Sequence, residues 1–151
     1  MTADRPRIDP RGPRFGAGIT AVLLLVDLFL ALTGARVAAT VLLAAIAAVF
    51  AWGAFAGIER HPYGALFRRL VRPRLAPPAE LEEAAPPTFA QGVGFVITLV
   101  GVLLGAFGVT PGVAVAAALA FVAAFLNSVF GYCLGCRMYV LLIRARVIRP
   151  A

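Results

Sequence analysis

The sequence contains no lysine, one histidine and two cysteines, and it has few charged residues of either sign. Charged residues make up 14% of the 151, whereas hydrophobic residues make up 62%. Soluble globular domains carry about 25% charged and about 45–50% apolar residues, so this chain lacks the polar surface that a soluble fold of its size needs. The composition therefore predicts a membrane protein whose first partner is the lipid bilayer.

Four apolar stretches are long enough to cross a bilayer as helices, since a hydrocarbon core of about 30 Å needs about 20 residues. They cover residues 15–34, 37–58, 89–108 and 112–132. The connections within the first and second pairs are very short, so each pair is predicted to form a tight antiparallel hairpin. The predicted organisation is an N-terminal tail (1–14), a hairpin (15–58), a loop (59–88), a second hairpin (89–132) and a C-terminal segment (133–151).

The arginines indicate how these hairpins are oriented. Thirteen of the fourteen lie in the tail, the middle loop and the C-terminal segment, and only Arg36 lies in a connection on the other side. Under the positive-inside rule both termini and the middle loop are cytoplasmic. Because the arginines flank apolar runs, topology and anionic headgroups explain the net charge of +7 better than nucleic acid does, and no nucleic-acid partner is predicted.

The middle loop contains an amphipathic pattern. Between residues 62 and 72, apolar side chains recur at helical spacing on one face and arginines occupy the other face. Pro62 suits a first helical position and Pro73 ends the run. The pattern predicts a short helix over 62–72 that lies in the inner interface, followed by a proline-rich, acidic, flexible or extended link.

The two halves of the chain resemble each other at an offset of 74 residues. The stretch PRFGAGITAVLLLVDLFLALTG aligns with PTFAQGVGFVITLVGVLLGAFG, and each hairpin is followed by a basic, apolar-laced segment that ends in Arg-Pro. Both copies would start on the same side of the membrane, which describes a parallel repeat about an axis along the membrane normal. Duplication and chance similarity of low-complexity apolar sequence both remain open at this point.

Cys133 and Cys136 stand where the last apolar run meets the C-terminal arginines. Gly131 and Gly135 weaken a continuous helix there, so Cys133 could begin a new interfacial helix. Beside Arg137 its thiol would have a lowered pKa and more thiolate, the form that acts as nucleophile. In an unbroken helix both cysteines would instead be small buried hydrophobes.

Other polar residues are candidates for function. Asp27 is the only acid within a span, and it could relay protons, bind a cation, pair with an arginine or hydrogen-bond between helices. Asn127 and Gln91 could join a polar cluster with it. His61 is the repeat counterpart of the cysteine region and could share an inner-face patch with Cys133, Cys136, Glu59 and Arg60. Zinc needs four ligands, so no metal site is predicted, and no cofactor is predicted either.

The segments DPRGPRF, HPYGALFRRLVRPRL, PPTFAQGVG and AFLNSVFGYCLGCRMY occur in this order. Together they resemble an uncharacterised bacterial integral membrane family catalogued as domain of unknown function 4395, over nearly the whole chain. Thr88 departs from the arginine expected before Phe89. The matching residues are Asp9, Pro10, Arg11, Pro13, Arg14, Phe15, His61, Pro62, Tyr63, Arg72, Pro73, Phe89, Gln91, Gly92, Asn127, Cys133 and Cys136.

The resemblance implies thiol or sulfur metabolism, because members are associated with thioredoxin-like and sulfurtransferase proteins. The expected fold is an all-α, four-helix integral membrane bundle of the bacterial plasma membrane, with inner-face amphipathic helices. The expected function is a membrane-anchored thiol module rather than a stand-alone enzyme, with Cys133 attacking, Cys136 resolving, and His61 or Arg137 tuning them. The alternatives are a carrier for a small sulfur-containing anion, with Asp27 or Asn127 in its path, and a structural scaffold.

Overall fold

The computed structural model describes residues 6–149. Arg5, which was counted in the basic tail, lies outside the described residues. Four helices are long and apolar enough to cross a membrane, which confirms the predicted all-α bundle. Their bounds are α1 (Arg11–Leu32), α2 (Arg36–Ala56), α4 (Ala85–Ala106) and α5 (Thr110–Phe130), and the two short helices are α3 (Pro62–Leu66) and α6 (Leu134–Arg144).

Helices α1 and α4 begin earlier than the apolar runs that predict them. The apolar runs begin at Phe15 and Phe89, whereas the helices begin at Arg11 and Ala85. Prolines stand in the first turn of both, at Pro13 and at Pro86–Pro87. The first turn tolerates proline because its N–H groups have no partner within the helix.

The two hairpins have the same turn. Gly34 and Gly108 have φ of 86° and 82°, a conformation open to glycine at little cost. In the first turn Ala35 N–H donates to the Leu30 carbonyl (3.0 Å), and in the second Val109 N–H donates to the Leu104 carbonyl (2.8 Å). The donors, the acceptors and the glycines are all 74 residues apart.

The helix packing is that of a tandem repeat with a two-fold axis. The bounds of α1 and α2 recur at a constant offset of 74 in α4 and α5. Helix α1 packs most extensively against α5, and α2 packs most extensively against α4. Exchanging the two halves converts one of these pairs into the other, so the main interfaces lie between hairpins rather than within them.

A two-stranded antiparallel sheet closes one end of the bundle. It pairs β1 (Arg7–Ile8) with β2 (Glu82–Glu83), and Ile8 lies opposite Glu82, its own counterpart at offset 74. The link that was expected to be flexible or extended therefore contributes a strand. Beside it, the Arg11 guanidinium pairs with Asp9 (2.7 Å) and donates to the Ala76 carbonyl (3.1 Å). That guanidinium holds the pKa of Asp9 below its ordinary value.

The segment predicted as one amphipathic helix changes pitch along its length. It continues from α3 into a π-helical turn (Phe67–Val71) and a 3₁₀ turn (Arg72–Arg74). In a regular α-helix the ring of Pro73 would clash with the carbonyl four residues before it. The wider turn, in which Arg72 N–H donates to the Phe67 carbonyl, lets the chain reach Pro73 without that clash.

The same segment has two apolar edges. Tyr63 and Phe67 lie against Gly16 and Gly12 of α1, and the Phe67 ring lies 5.8 Å from the ring of Phe15. Leu66 and Leu70 are exposed. One apolar edge therefore packs on α1, and the other is unpaired among the described residues.

Small residues let the long helices approach closely in the core. A Cβ built on Gly101 of α4 would lie 2.4 Å from the Ala116 Cβ of α5 and 2.8 Å from Leu43 Cδ2 of α2. Ala117 and Leu43 are completely buried. Glycine and alanine at such positions let helix backbones approach closely. In a membrane the hydrophobic effect does not drive helices together, because lipid tails are equally apolar, so close van der Waals packing stabilises the bundle instead.

Candidate functional site: a cavity with a disulfide in its wall

A cavity of about 900 Å³ opens between the two halves of the bundle. Its wall includes the first turns of α1 and α4, the last turn of α5, Phe50 of α2, the residues that follow α2, and residues of α3 and α6. This is the end that carries both short helices and the two-stranded sheet. Of the residues predicted for function, His61, Asn127, Cys133, Cys136 and Arg137 all line it.

The two cysteines form a disulfide at the start of α6. Gly131 ends α5 in a left-handed conformation (φ 66°), the chain turns, and Cys133 becomes the N-cap of α6. The Cys133 Sγ accepts a hydrogen bond from the backbone N–H of Cys136 at 3.2 Å. Both cysteines are partly buried. The pair therefore lies at a helix N-terminus in the cavity wall and not within a membrane-spanning helix.

Helix α6 is held in place by α4. A Cβ on Gly135, between the cysteines, would lie 2.6 Å from both the Cα and the Cβ of Ala90. The rings of Tyr139 and Phe89 lie 5.5 Å apart, and Tyr139 is buried. Because the glycine allows backbone contact and the aromatic pair anchors the next turn, the disulfide has a fixed position relative to the bundle.

His61 occupies the equivalent position in the first half. It is the N-cap of α3, and its Nδ1 accepts a hydrogen bond from Tyr63 N–H at 3.2 Å. Phe67 packs on the ring of Phe15 in the first half, and Tyr139 packs on the equivalent ring of Phe89 in the second. Aligning Phe67 with Tyr139 gives the short helices an offset of 72 residues. At this offset His61 corresponds to Cys133. One half thus presents an imidazole to the cavity where the other presents a sulfur.

His61 is only 4% exposed, and its burial lowers the pKa of the imidazole below 6.5. The unfolded chain then binds a proton more readily than the folded chain, so stability should fall as pH falls through about 6.5. We expect His61→Asn, which keeps an N-cap acceptor, to lose less stability than the wild type between pH 7.5 and 5. Thermal unfolding in detergent at both pH values measures this, and equal losses in the two proteins would contradict it.

Gln91 packs beside His61. A Cβ on Gly53 would lie 2.8 Å from His61 Cδ2 and 2.7 Å from Gln91 Cγ, so both side chains lie over that glycine. The Gln91 Oε1 is buried and accepts no hydrogen bond from the described residues. The sequence suggested Gln91 as part of a polar cluster, and the structure gives it His61 as its neighbour in the cavity wall.

Arginines are the feature of the site that sequence reasoning missed. Five line the cavity: Arg7, Arg14, Arg68, Arg72 and Arg137. Arg14 lies over Gly131, with a guanidinium nitrogen 3.5 Å from the Val129 carbonyl, and Arg137 lies 5.3 Å from the centre of the Tyr132 ring. Apart from Arg137, the sequence assigned these residues to membrane topology alone. The family pattern at 11–14 was the signal that could have identified Arg14.

Thr88 takes the place of Arg14 in the second half. Its hydroxyl oxygen accepts a hydrogen bond from Ile58 N–H at 3.2 Å, and the hydroxyl donates to the Ala84 carbonyl at 2.8 Å. In each half, a side chain in the first turn of the first long helix therefore bonds to the end of the other half's second helix. Arg14 of α1 reaches the end of α5, and Thr88 of α4 reaches Ile58 just beyond α2. Only the first half does this with a positive charge.

Asp27 does not reach the cavity. It is completely buried in α1, deeper in the bundle than Thr20, which is the last α1 residue in the cavity wall. Neither carboxyl oxygen has a hydrogen-bond partner among the described residues. Two of the alternatives that the sequence left open, a pairing with an arginine and a cluster with Asn127 and Gln91, are not formed by Asp27 among the described residues.

Residues 6–149 contain no group of three or more His, Cys, Asp and Glu side chains placed to hold a metal ion. The long helices and the disulfide-bearing cavity define a multi-pass membrane protein with a CxxC pair at one end of the bundle. Residues 8–144 match the family model described as a domain of unknown function, DUF4395, and the chain belongs to that family. No curated protein and no solved structure matches it.

Proposed function

We propose that the protein is a membrane-embedded thiol–disulfide exchange module of the bacterial plasma membrane. Its partner would be a thioredoxin-like or sulfurtransferase protein on the cytoplasmic side. The observation that carries the proposal is the Cys133–Cys136 disulfide, which lies at a helix N-terminus in the wall of a cavity that several charged side chains also line. A disulfide that is accessible to thiols in a reducing compartment is more often catalytic or redox-sensing than structural.

The hydrogen bond at the cysteine pair supports an attacking role for Cys133 and a resolving role for Cys136. In the reduced pair, the Cys136 N–H and the N-terminus of α6 stabilise a thiolate on Cys133. That thiolate attacks one sulfur of the partner's disulfide, forms a mixed disulfide and releases the partner's other sulfur as a thiolate. Cys136 loses its proton and attacks Cys133 Sγ, which restores the Cys133–Cys136 bond and releases the partner as a dithiol. His61 and Arg137 line the same cavity and would tune these steps.

The arginine distribution supports the cytoplasmic orientation. The cavity, the short helices and all described arginines except Arg36 belong to one end of the bundle. Basic residues close to short loops are retained on the cytoplasmic side during insertion. The disulfide would then face the compartment in which thioredoxin-like proteins are kept reduced.

A labelling experiment tests the proposal. Inverted vesicles and intact cells are treated with a membrane-impermeant maleimide, with and without prior reduction. We expect labelling of Cys133 and Cys136 only in inverted vesicles and only after reduction. Labelling in intact cells would contradict the orientation, and cysteines that never react would favour the scaffold alternative.

The carrier alternative receives less support. It places Asp27 or Asn127 in the path of a sulfur-containing anion, but only Asn127 lines the cavity. A completely buried acid outside the cavity does not contact a ligand held there.

A further inference from the structure

The charge of the cavity goes beyond what an exchange with a protein partner needs. Among residues 6–149, five arginines line it, against three carboxylates, Asp9, Glu59 and Glu82. Asp9 is already held by Arg11. None of the five arginines forms an ion pair with a carboxylate among the described residues. Their exposed side chains are therefore available to an anion that enters the cavity.

Two of these guanidiniums flank the cysteine pair. Arg14 lies 3.4 Å from a Cβ built on Gly131, two residues before Cys133, and Arg137 follows Cys136 directly. Arg68 also lines the cavity, with its Nη1 3.3 Å from a Cβ built on Gly64 of α3. Both halves of the chain thus contribute guanidinium groups to the wall that contains the disulfide. Guanidinium groups bind carboxylates and other oxyanions with paired hydrogen bonds.

The size of the cavity and the burial of the cysteines indicate a small substrate. A volume of about 900 Å³ is in the range of small-molecule sites. Both cysteines are partly buried, and the polar lining also includes His61, Gln91 and Asn127. A compact thiol can enter such a space without displacing the helices that form it.

We propose that the cavity selects a low-molecular-weight thiol that carries a carboxylate or another anionic group, and that this thiol reduces the Cys133–Cys136 disulfide. This inference rests on the proposed exchange function. The substrate thiolate attacks Cys133 Sγ, and the S–S bond breaks so that Cys136 leaves as a thiolate and takes up a proton. A second substrate thiolate attacks the substrate sulfur of the mixed disulfide. The products are the oxidised substrate disulfide and the reduced cysteine pair, which the partner's disulfide oxidises again.

The test compares thiols that differ in charge. The oxidised protein, in nanodiscs of a neutral lipid, is treated with 2-mercaptoethanol or mercaptosuccinate, and the appearance of free cysteines is followed by alkylation and mass spectrometry. Rates with a neutral model disulfide, bis(2-hydroxyethyl) disulfide, correct for the intrinsic reactivity of each thiol. We expect a corrected preference for mercaptosuccinate of about tenfold, because a cleft lined by one sign of charge raises the local concentration of the opposite charge.

Matched variants identify the groups responsible. Arg14→Gln combined with Arg137→Gln should reduce the corrected preference at least threefold. Because the preference is a ratio of the two rates, a change in the reactivity of the cysteine pair on loss of Arg137 affects both rates and cancels. Arg144→Gln, which removes an exposed arginine of α6 outside the cavity wall, should keep the corrected preference. Succinate, which has no thiol, should slow mercaptosuccinate but not 2-mercaptoethanol.

The outcomes separate this inference from the proposed function. Reduction by both thiols with no corrected preference would overturn the anionic substrate and leave thiol exchange intact. A disulfide that neither thiol reduces would overturn both. A preference that disappears in nanodiscs containing phosphatidylglycerol would assign the arginines to lipid headgroups and would also overturn the inference.

Discussion

Reduced Cys136→Ser protein is expected to accumulate a stable mixed disulfide at Cys133 when it is treated with bis(2-hydroxyethyl) disulfide. The Cys133 Sγ accepts the backbone N–H of residue 136, and a serine at that position retains this N–H. The Cys133 thiolate should therefore still form and attack. Without the second thiol nothing resolves the adduct, whereas the wild type should return to its intramolecular disulfide and release 2-mercaptoethanol.

Cys133→Ser is the matched control. A serine hydroxyl does not replace a thiolate as nucleophile, and the remaining Cys136 thiol lacks the N-cap position that stabilises a thiolate. We expect the exchange rate of this variant to fall by about tenfold or more, because an ordinary thiol is only a few per cent thiolate near pH 7. Intact mass and peptide mapping under non-reducing conditions identify the adduct. Equal adduct formation on Cys136 in this control would show that the helix N-terminus does not distinguish the two thiols.

Asp27→Val is expected to stabilise the protein. Asp27 is completely buried in a membrane-spanning helix, and neither of its carboxyl oxygens has a hydrogen-bond partner among the described residues. An unsatisfied buried polar group costs about 1–3 kcal/mol, and valine replaces the carboxyl group with a branched apolar side chain that needs no hydrogen-bond partner. We therefore expect the free energy of unfolding to rise by about 1–3 kcal/mol in a mixed-micelle denaturation experiment.

Thr98→Val provides the comparison for Asp27→Val. Thr98 is also completely buried, but its hydroxyl donates to the Gly94 carbonyl at 2.8 Å. Removing a satisfied hydrogen bond should lower stability by about 1 kcal/mol or less. Destabilisation by Asp27→Val comparable to that of Thr98→Val would show that the carboxyl group has a partner in the membrane.

The same variant separates the proposed function from the carrier alternative. Asp27 lies outside the cavity wall, so the rate of thiol exchange should not change in Asp27→Val. Uptake of labelled thiosulfate that is lost in this variant but survives in Cys133→Ser would support a carrier.

The spans and their turns could be predicted because each rests on local information. An apolar run of bilayer length predicts a helix in lipid wherever it occurs, since the backbone has no other way to satisfy its hydrogen bonds. The glycines at positions 34 and 108 mark the turns by the same local rule. The first residues of α1 and α4 could not be predicted from apolar runs, because Arg11–Arg14 and Ala85–Thr88 precede the continuous apolar stretches.

The amphipathic segment was predictable in position but not in pitch. The pattern of apolar residues between positions 62 and 72 predicts where the segment lies and that it has an apolar face. The π-helical turn arises because the ring of Pro73 would otherwise clash with the carbonyl four residues before it. A pattern of hydrophobicity contains no information about such a clash.

By itself the sequence determined the number of membrane helices, their pairing along the chain into two hairpins, and the offset of 74 between the halves, because these depend on hydrophobic length and on residue identity. Only the tertiary structure decided that α1 packs against α5 and α2 against α4. It also decided that Cys133 caps a separate helix, α6, and that His61 and the cysteine pair line the same cavity. Contacts between the halves, such as Gly94 with Phe50 and Gly18 with Ser128, join residues far apart in the chain. They depend on how small residues let helices approach, and that geometry exists only when both halves are folded together.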